Sequence, residues 1–138
     1  MIERIVDKGQ LIAIIIRAEF QKDGIEFFTP NEFSQQLAYM NHPPGHRITP
    51  HTHNRVDRNV QNTLETLFIR KGEVKIDFYS EKREHIGDRI VKTGDVVLLA
   101  SGGHGFTMLQ QSEMIEVKQG PYAGDKDKIR FEGPKYGQ

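Results

Sequence analysis

Between residues 11 and 20 (LIAIIIRAEF) the chain is a nearly unbroken apolar run, rich in isoleucine and held between Gly9 and Lys22-Asp23-Gly24. Side chains branched at Cβ suit a pleated surface, and a run that is apolar at both parities fits a strand covered on both faces. A second short strand over residues 25–28 is expected to pair back on it as a hairpin. Thr29-Pro30-Asn31-Glu32 has the form of a capping box with Pro at the first helical position, and the poor periodicity behind it limits it to one helical turn. Strands then recur over residues 36–41, 47–53, 65–70, 73–79, 88–92, 96–100, 106–109 and 114–119, separated by turns such as Lys71-Gly72, Ile86-Gly87-Asp88, Thr93-Gly94-Asp95 and Gly102-Gly103. Short strands between Gly- and Asp-bearing turns, with no long segment of helical period, predict an all-β sandwich or barrel. Pro, Gly, Asp and Lys dominate residues 120–138, which read as a wrapping or loose tail with a short strand over 129–131.

The remaining composition narrows the function. With 138 residues and 15.9 kDa, residues 1–138 are expected to form one domain around one core. The 19 basic and 19 acidic residues balance, and neither half of the chain is charge-biased, so no electrostatic footprint for nucleic acid or an anionic membrane exists. There is no cysteine, which excludes disulfides, thiolate metal sites and cysteine nucleophiles and leaves His and carboxylates as metal ligands. The longest apolar run, residues 11–16, is far below the ~18 residues that span a bilayer, and no signal-peptide core follows the charged start. The expected protein is soluble and cytoplasmic.

The six histidines carry the chemistry. His51 and His53 flank Thr52, and residues i and i+2 of a strand point to one face, so both imidazoles could reach one ion. Five residues intervene between Gly45 and His51, and six between Glu65 and Gly72, which opens the next hairpin. A second stretch, from Gly94 through Gly102 and Gly103 to His104, delivers another His after an apolar strand and a glycine turn. His42, His46 and His85 share no such spacing and read as bystanders.

In these residues the chain resembles the cupin superfamily. Gly45, His51, His53, Glu65 and Gly72 match its first motif, and Gly94, Gly102 and His104 its second, over roughly residues 36–118. The resemblance implies a small jelly-roll β-barrel holding a divalent metal on His51, His53, Glu65 and His104. Three features depart from the motifs. Eleven residues separate His53 from Glu65 where the family has three or four, so either residues 54–64 are an inserted loop or Asp57 is the carboxylate ligand. Glu65 is preferred because six residues intervene between it and Gly72. In the second motif Ala100 replaces Pro, and Met108 stands where Asn is usual, with one residue missing before His104.

Period-two counting extends the site to its neighbours. Arg47 shares a parity with His51 and His53, and an interior guanidinium needs an anion, either a protein carboxylate or a substrate carboxylate or phosphate. Residues 54–64 carry Arg55, Asp57 and Arg58 and are placed to form a lid, with Arg58 facing substrate. Phe106 and Met108 share the face of His104, and Leu67 and Ile69 that of Glu65, which gives an apolar pocket around a polar centre. Met114, Glu116 and Lys118 share a face of the last strand. The expected function is a metal-dependent enzyme, using Fe, Mn, Ni, Zn or Co, on a small polar or anionic substrate such as a carboxylate or sugar phosphate. A non-catalytic small-molecule or sugar-binding module is one alternative. A metal-independent sugar-nucleotide epimerase or isomerase, with His51 or His53 as base and Arg47 on phosphate, is another. Similar single-domain cupins pair their barrels through edge strands, so the resemblance implies a homodimer, with the apolar strand over residues 11–16 a candidate for capping.

Overall fold

A computed structural model describes residues 1–134, and the end of the expected tail, 135–138, lies outside the described residues. The chain is all-β. Its strands are β1 (Ile2–Asp7), β2 (Gln10–Ile16), β3 (Gly24–Phe27), β4 (Ala38–Asn41), β5 (Glu65–Lys71), β6 (Glu73–Tyr79), β7 (His85–Lys92), β8 (Val96–Leu99), β9 (Gly103–Met108) and β10 (Glu113–Lys118), followed by a 3₁₀ turn over Gly124–Asp127. They form a five-stranded sheet in the order β1-β2-β8-β5-β10, a three-stranded sheet β7-β6-β9 and a β3-β4 ribbon, all antiparallel and none closed on itself. Among the described residues no helix is long and apolar enough to cross a membrane.

The two larger sheets share one core. Ala13, Ile15, Leu67, Ile69, Val97 and Leu99 of the five-stranded sheet meet Val74, Ile76, Phe78 and Val91 of the three-stranded one. The other face of the five-stranded sheet is covered by the segment between β2 and β4, where Ile14, Ile16, Leu64 and Leu98 pack with Phe28 and with Phe20, Phe33 and Tyr39 around it. Burial on both faces explains why β2 and β8 are apolar at both parities. Ile12 is an extra residue opposite the Ile5–Val6 step of β1, and this bulge brings it into the same cluster as its neighbour Ala13.

Several expectations need correction. The strand expected over residues 47–53 does not form, and residues 42–64 contain neither strand nor helix. Pro43, Pro44 and Pro50 lack the amide hydrogens that a ladder requires and fix φ along the approach to His51. The hairpin expected between β2 and β3 is replaced by β3 pairing with β4, Phe27 opposite Ala38 and Ile25 opposite Met40. β2 stops at Ile16 because Arg17 turns into an ion cluster and Phe20 donates its amide back to the Arg17 carbonyl. The Thr29 box caps no helix: its hydroxyl bonds the Gln36 side chain and accepts the Leu37 amide, while Phe33 N–H closes a turn onto Pro30. No strand forms over residues 129–131. β1 went unforeseen, since only Ile5 among its residues is buried. The Lys8-Gly9 turn that joins it to β2 has φ of +50° and +80°, the left-handed pair that a tight antiparallel hairpin favours.

Where β1, β2, β7 and β8 meet, Asp95 is 5% exposed and accepts the amides of Ala18 and Lys92 at 2.8 Å each and Arg17 Nη1 at 3.1 Å. Arg17 also pairs with Glu3, which takes Arg89 Nε at 3.1 Å. The Arg17 hydrogen bond holds the Glu3 carboxyl below its ordinary range against the cost of burial, and Arg89 adds to the effect. Replacing Asp95 by Ala leaves the Ala18 and Lys92 amides without their acceptor and Arg17 with Glu3 as its remaining carboxylate, and should cost about 2–4 kcal/mol in urea unfolding. Glu3 titrates with a lowered folded value, so its stabilisation is present above its unfolded pKa and is lost as pH falls through the folded one. Glu3→Gln should therefore destabilise the chain at pH 7, and the gap to the native protein should close below about pH 4.

Candidate functional site

The inner face changes character along the strands. On β5 the inward positions run Glu65, Leu67, Ile69; on β9 they run His104, Phe106, Met108; on β10 they run Met114, Glu116, Lys118. Antiparallel register stacks the polar ends together, with Lys118 opposite Glu65 on the five-stranded sheet and His104 opposite Phe78 on the three-stranded one. The turn that delivers His104 is tight: Gly102 has φ +67°, and a Cβ there would lie 2.2 Å from the Tyr79 carbonyl oxygen. A cavity of about 1210 Å³ opens at this end, lined among others by Glu65, His104, Phe106, Glu116, Lys118 and Lys128.

Glu65 and His104 come from different sheets and face each other with Oε2 and Nε2 3.7 Å apart, their side chains 13% and 28% exposed. That is too far for a direct hydrogen bond and close enough for one ligand atom to touch both. Burial raises the Glu65 carboxyl above its ordinary range and the Glu116 carboxylate reinforces this, while Lys118, 3.9 Å away, opposes it. Burial lowers the His104 imidazole, against the pull of Glu116 and with the help of Lys128 and Lys118. Each shift therefore leans toward the uncharged form of its group. Lys118 Nζ lies 3.0 Å from Asp127, whose hydrogen bond holds the ammonium charged, and Thr63 donates to the same carboxylate. Further along the chain Phe131 packs edge-on against Tyr79, ring centroids 4.9 Å apart, and Arg83 lies 5.6 Å over the Phe131 ring. The C-terminal segment therefore flanks the mouth.

The other expected residues lie elsewhere. His51 and His53 are exposed in the irregular segment, their rings 5.2 Å apart, with His51 Nδ1 2.8 Å from the Thr49 carbonyl. Arg47, Arg58 and Asp57 are exposed in the same segment and do not line the cavity. The interior placement of Arg47 fails with the strand that would have carried it. Phe106 lines the cavity, whereas Met108, 48% exposed, sits at the far end of β9 outside it. The structure thus unites Glu65 with His104 and leaves His51 and His53 apart from them, so the four do not make one ligand set. Among the described residues, the His and carboxylate groups whose ligand atoms all lie within 4.8 Å of one another are Asp77, His85 and Asp88, and these could hold a metal ion.

Glu116 and Lys118 share a parity with Met114 in the sequence, but a polar alternation of that kind reads as an outer face, and only the structure turns it toward the cavity. Asp77 shows as a polar position in a strand whose alternate residues are Val74, Ile76 and Phe78. Lys128 and Asp127 carry no such signal, because they lie outside regular strands. Comparison of the chain with protein-family models, with curated proteins and with solved structures finds no match.

Because the folded Glu65 value is raised, the native state holds the acid form more readily than the unfolded chain, and this contribution fades as pH rises through the folded value. Glu65→Gln should leave the fold intact and raise the melting temperature at pH 7–8, with no gain at pH 4. The His104 value is lowered, so its contribution is complete above the unfolded value and declines as pH falls toward the folded one. His104→Gln should flatten that loss between about pH 7 and 5 in thermal melts.

Proposed function

We propose that this chain is a cupin-like protein of jelly-roll type that takes a small polar, anionic molecule between its sheets and moves a proton on it. The supporting observation is the pair Glu65–His104, carried by facing sheets, largely buried at the cavity and biased to opposite proton roles. The jelly-roll reading draws on the crossings between the two larger sheets, with β5, β8 and β10 in one and β6, β7 and β9 in the other. His104 Nε2 takes a proton at one ligand atom, and the Glu65 carboxyl returns one at a neighbouring atom. Their product is the net chemistry of an isomerase or epimerase. The raised Glu65 value moves the acid toward neutral pH, and the lowered His104 value leaves the imidazole free to accept a proton there. Lys118 and Lys128 supply the positive charge that meets a carboxylate or phosphate, and Phe106 closes the apolar side. The metal-dependent reaction implied by the cupin resemblance needs His51 and His53 beside Glu65 and His104. His51 and His53 stand instead in the exposed segment between β4 and β5.

A thermal-shift screen of sugar phosphates, nucleotide sugars and small carboxylic acids tests this reading. A hit should bind more weakly to Lys118→Gln by about 1.5–3 kcal/mol, the worth of a hydrogen bond to a charged group. In deuterated buffer the bound hit should exchange a carbon-bound proton with the native protein, and this exchange should vanish with His104→Gln or Glu65→Gln while binding persists. Hits that bind without exchange would make the chain a binding module. Equal binding to Lys118→Gln would remove the anion from the proposal.

A further inference from the structure

The geometry points to a divalent-metal site on the outer face of the three-stranded sheet, built from Asp77, His85 and Asp88. It is independent of the Glu65–His104 proposal. Three observations carry it, and the first is a register shift. Along β6 and β7, Asp77 stands opposite Asp88 and Phe78 opposite Gly87, but Tyr79 then stands opposite His85. Ile86 is therefore an extra residue. It turns into the shared core, and His85 emerges on the face of Asp77 and Asp88. Without the bulge His85 would point the other way, and re-aiming a side chain is a recognised use of bulges beside functional sites.

The second observation is electrostatic. Asp77 is 5% exposed and directly faces another carboxylate across the ladder, an arrangement that destabilises a sheet unless positive charge intervenes. In this structure the Lys75 ammonium supplies the positive charge, with Nζ 3.6 Å from Asp77 Oδ1, and His85 Nε2 lies 2.9 Å from the same oxygen. The third is space. On its β9 side Asp77 faces Gly105, where an added Cβ would meet nothing within 4 Å. The side chain that would otherwise fill this place is missing, which leaves room for an ion and its waters. One imidazole and two carboxylates suit Zn²⁺, Co²⁺, Ni²⁺ or Mn²⁺ better than the all-oxygen preference of Ca²⁺ or Mg²⁺. The ion would replace the Lys75 ammonium as counter-charge.

Chelator-stripped protein titrated with Zn²⁺ by calorimetry, and with Co²⁺ by visible absorption, tests the site. The native chain should bind one ion with a rise in melting temperature. His85→Gln and Asp88→Asn, both at exposed positions that leave the core untouched, should each weaken binding by about tenfold or more. Lys75→Gln should strengthen it, because a competing cation is gone; a purely structural Lys75–Asp77 pair predicts only lower stability. The double variant Glu65→Gln/His104→Gln should bind as the native chain does. The proposal is overturned if the chain takes up no Zn²⁺ or Co²⁺, or if uptake is unchanged by His85→Gln and Asp88→Asn. It is equally overturned if uptake is lost with His51→Gln or His53→Gln, which would place the ion on the exposed histidine pair. A loss confined to the Glu65/His104 variant would put it in the cavity.

Discussion

The packing of one sheet between two covers governs where chemistry can occur in this chain. β2 and β8 are apolar at both parities because the three-stranded sheet lies on one side of them and the segment between β2 and β4 on the other. No unpaired charge can be accommodated there at reasonable cost. Inward-facing polar groups are confined to the end of β5 and to β9 and β10, at the free edges of their sheets, where water reaches the space between the layers. Register makes this confinement sharp. A slip of one residue of β10 along β5 would send Lys118 outward and put Val117 in its place.

Much of this was legible because both elements and faces follow from period-two counting. The doubly apolar strand, the Gly-bearing turns, the inward parity of Glu65 with Leu67 and Ile69, and that of His104 with Phe106 are all local properties, and the structure keeps them. Pairing partners are not local. Residues 24–27 could close on β2 or on β4, and the choice of β4 depends on Phe28 and Tyr39 packing under the five-stranded sheet. The segment around His51 shows the limit of motif spacing. Alternation of His51, Thr52 and His53 suggests a strand, but the prolines on its approach and the exposed, irregular course of residues 42–64 deny it a ladder. A strand needs a neighbour as well as a pattern, and β4 ends at Asn41.

The bulge in β7 is a harder case, since one inserted residue reverses every parity assignment beyond it. Counted straight back from Asp88 and Ile90, Ile86 should lie outside and His85 inside; the structure has the opposite. Gly87, at φ +150°, is the trace it leaves in the sequence, because a backbone of that shape is readily adopted only by glycine. Histidine spacing alone would pass over His85, which has no nearby partner in sequence and gains Asp77 only through the ladder.

β6 sits at the centre of both polar groups and links their geometries. Its inner residue Phe78 is opposite His104, and its outer residue Asp77 is opposite Gly105, one step along the same ladder. β9 therefore alternates an inner face that carries His104 and Phe106 with outer positions, Gly103 and Gly105, that lack side chains. The inner alternation places the imidazole over the cavity. The outer one lets Phe131 of the C-terminal segment approach Gly103 and leaves the space beside Asp77 open. The position of His104 relative to Glu65 is then set by the same β6–β9 hydrogen bonds that hold Asp77 beside Gly105. A change that shifts this ladder must disturb both faces together, whereas a change in the β7 bulge can alter the outer group and leave the Glu65–His104 separation intact.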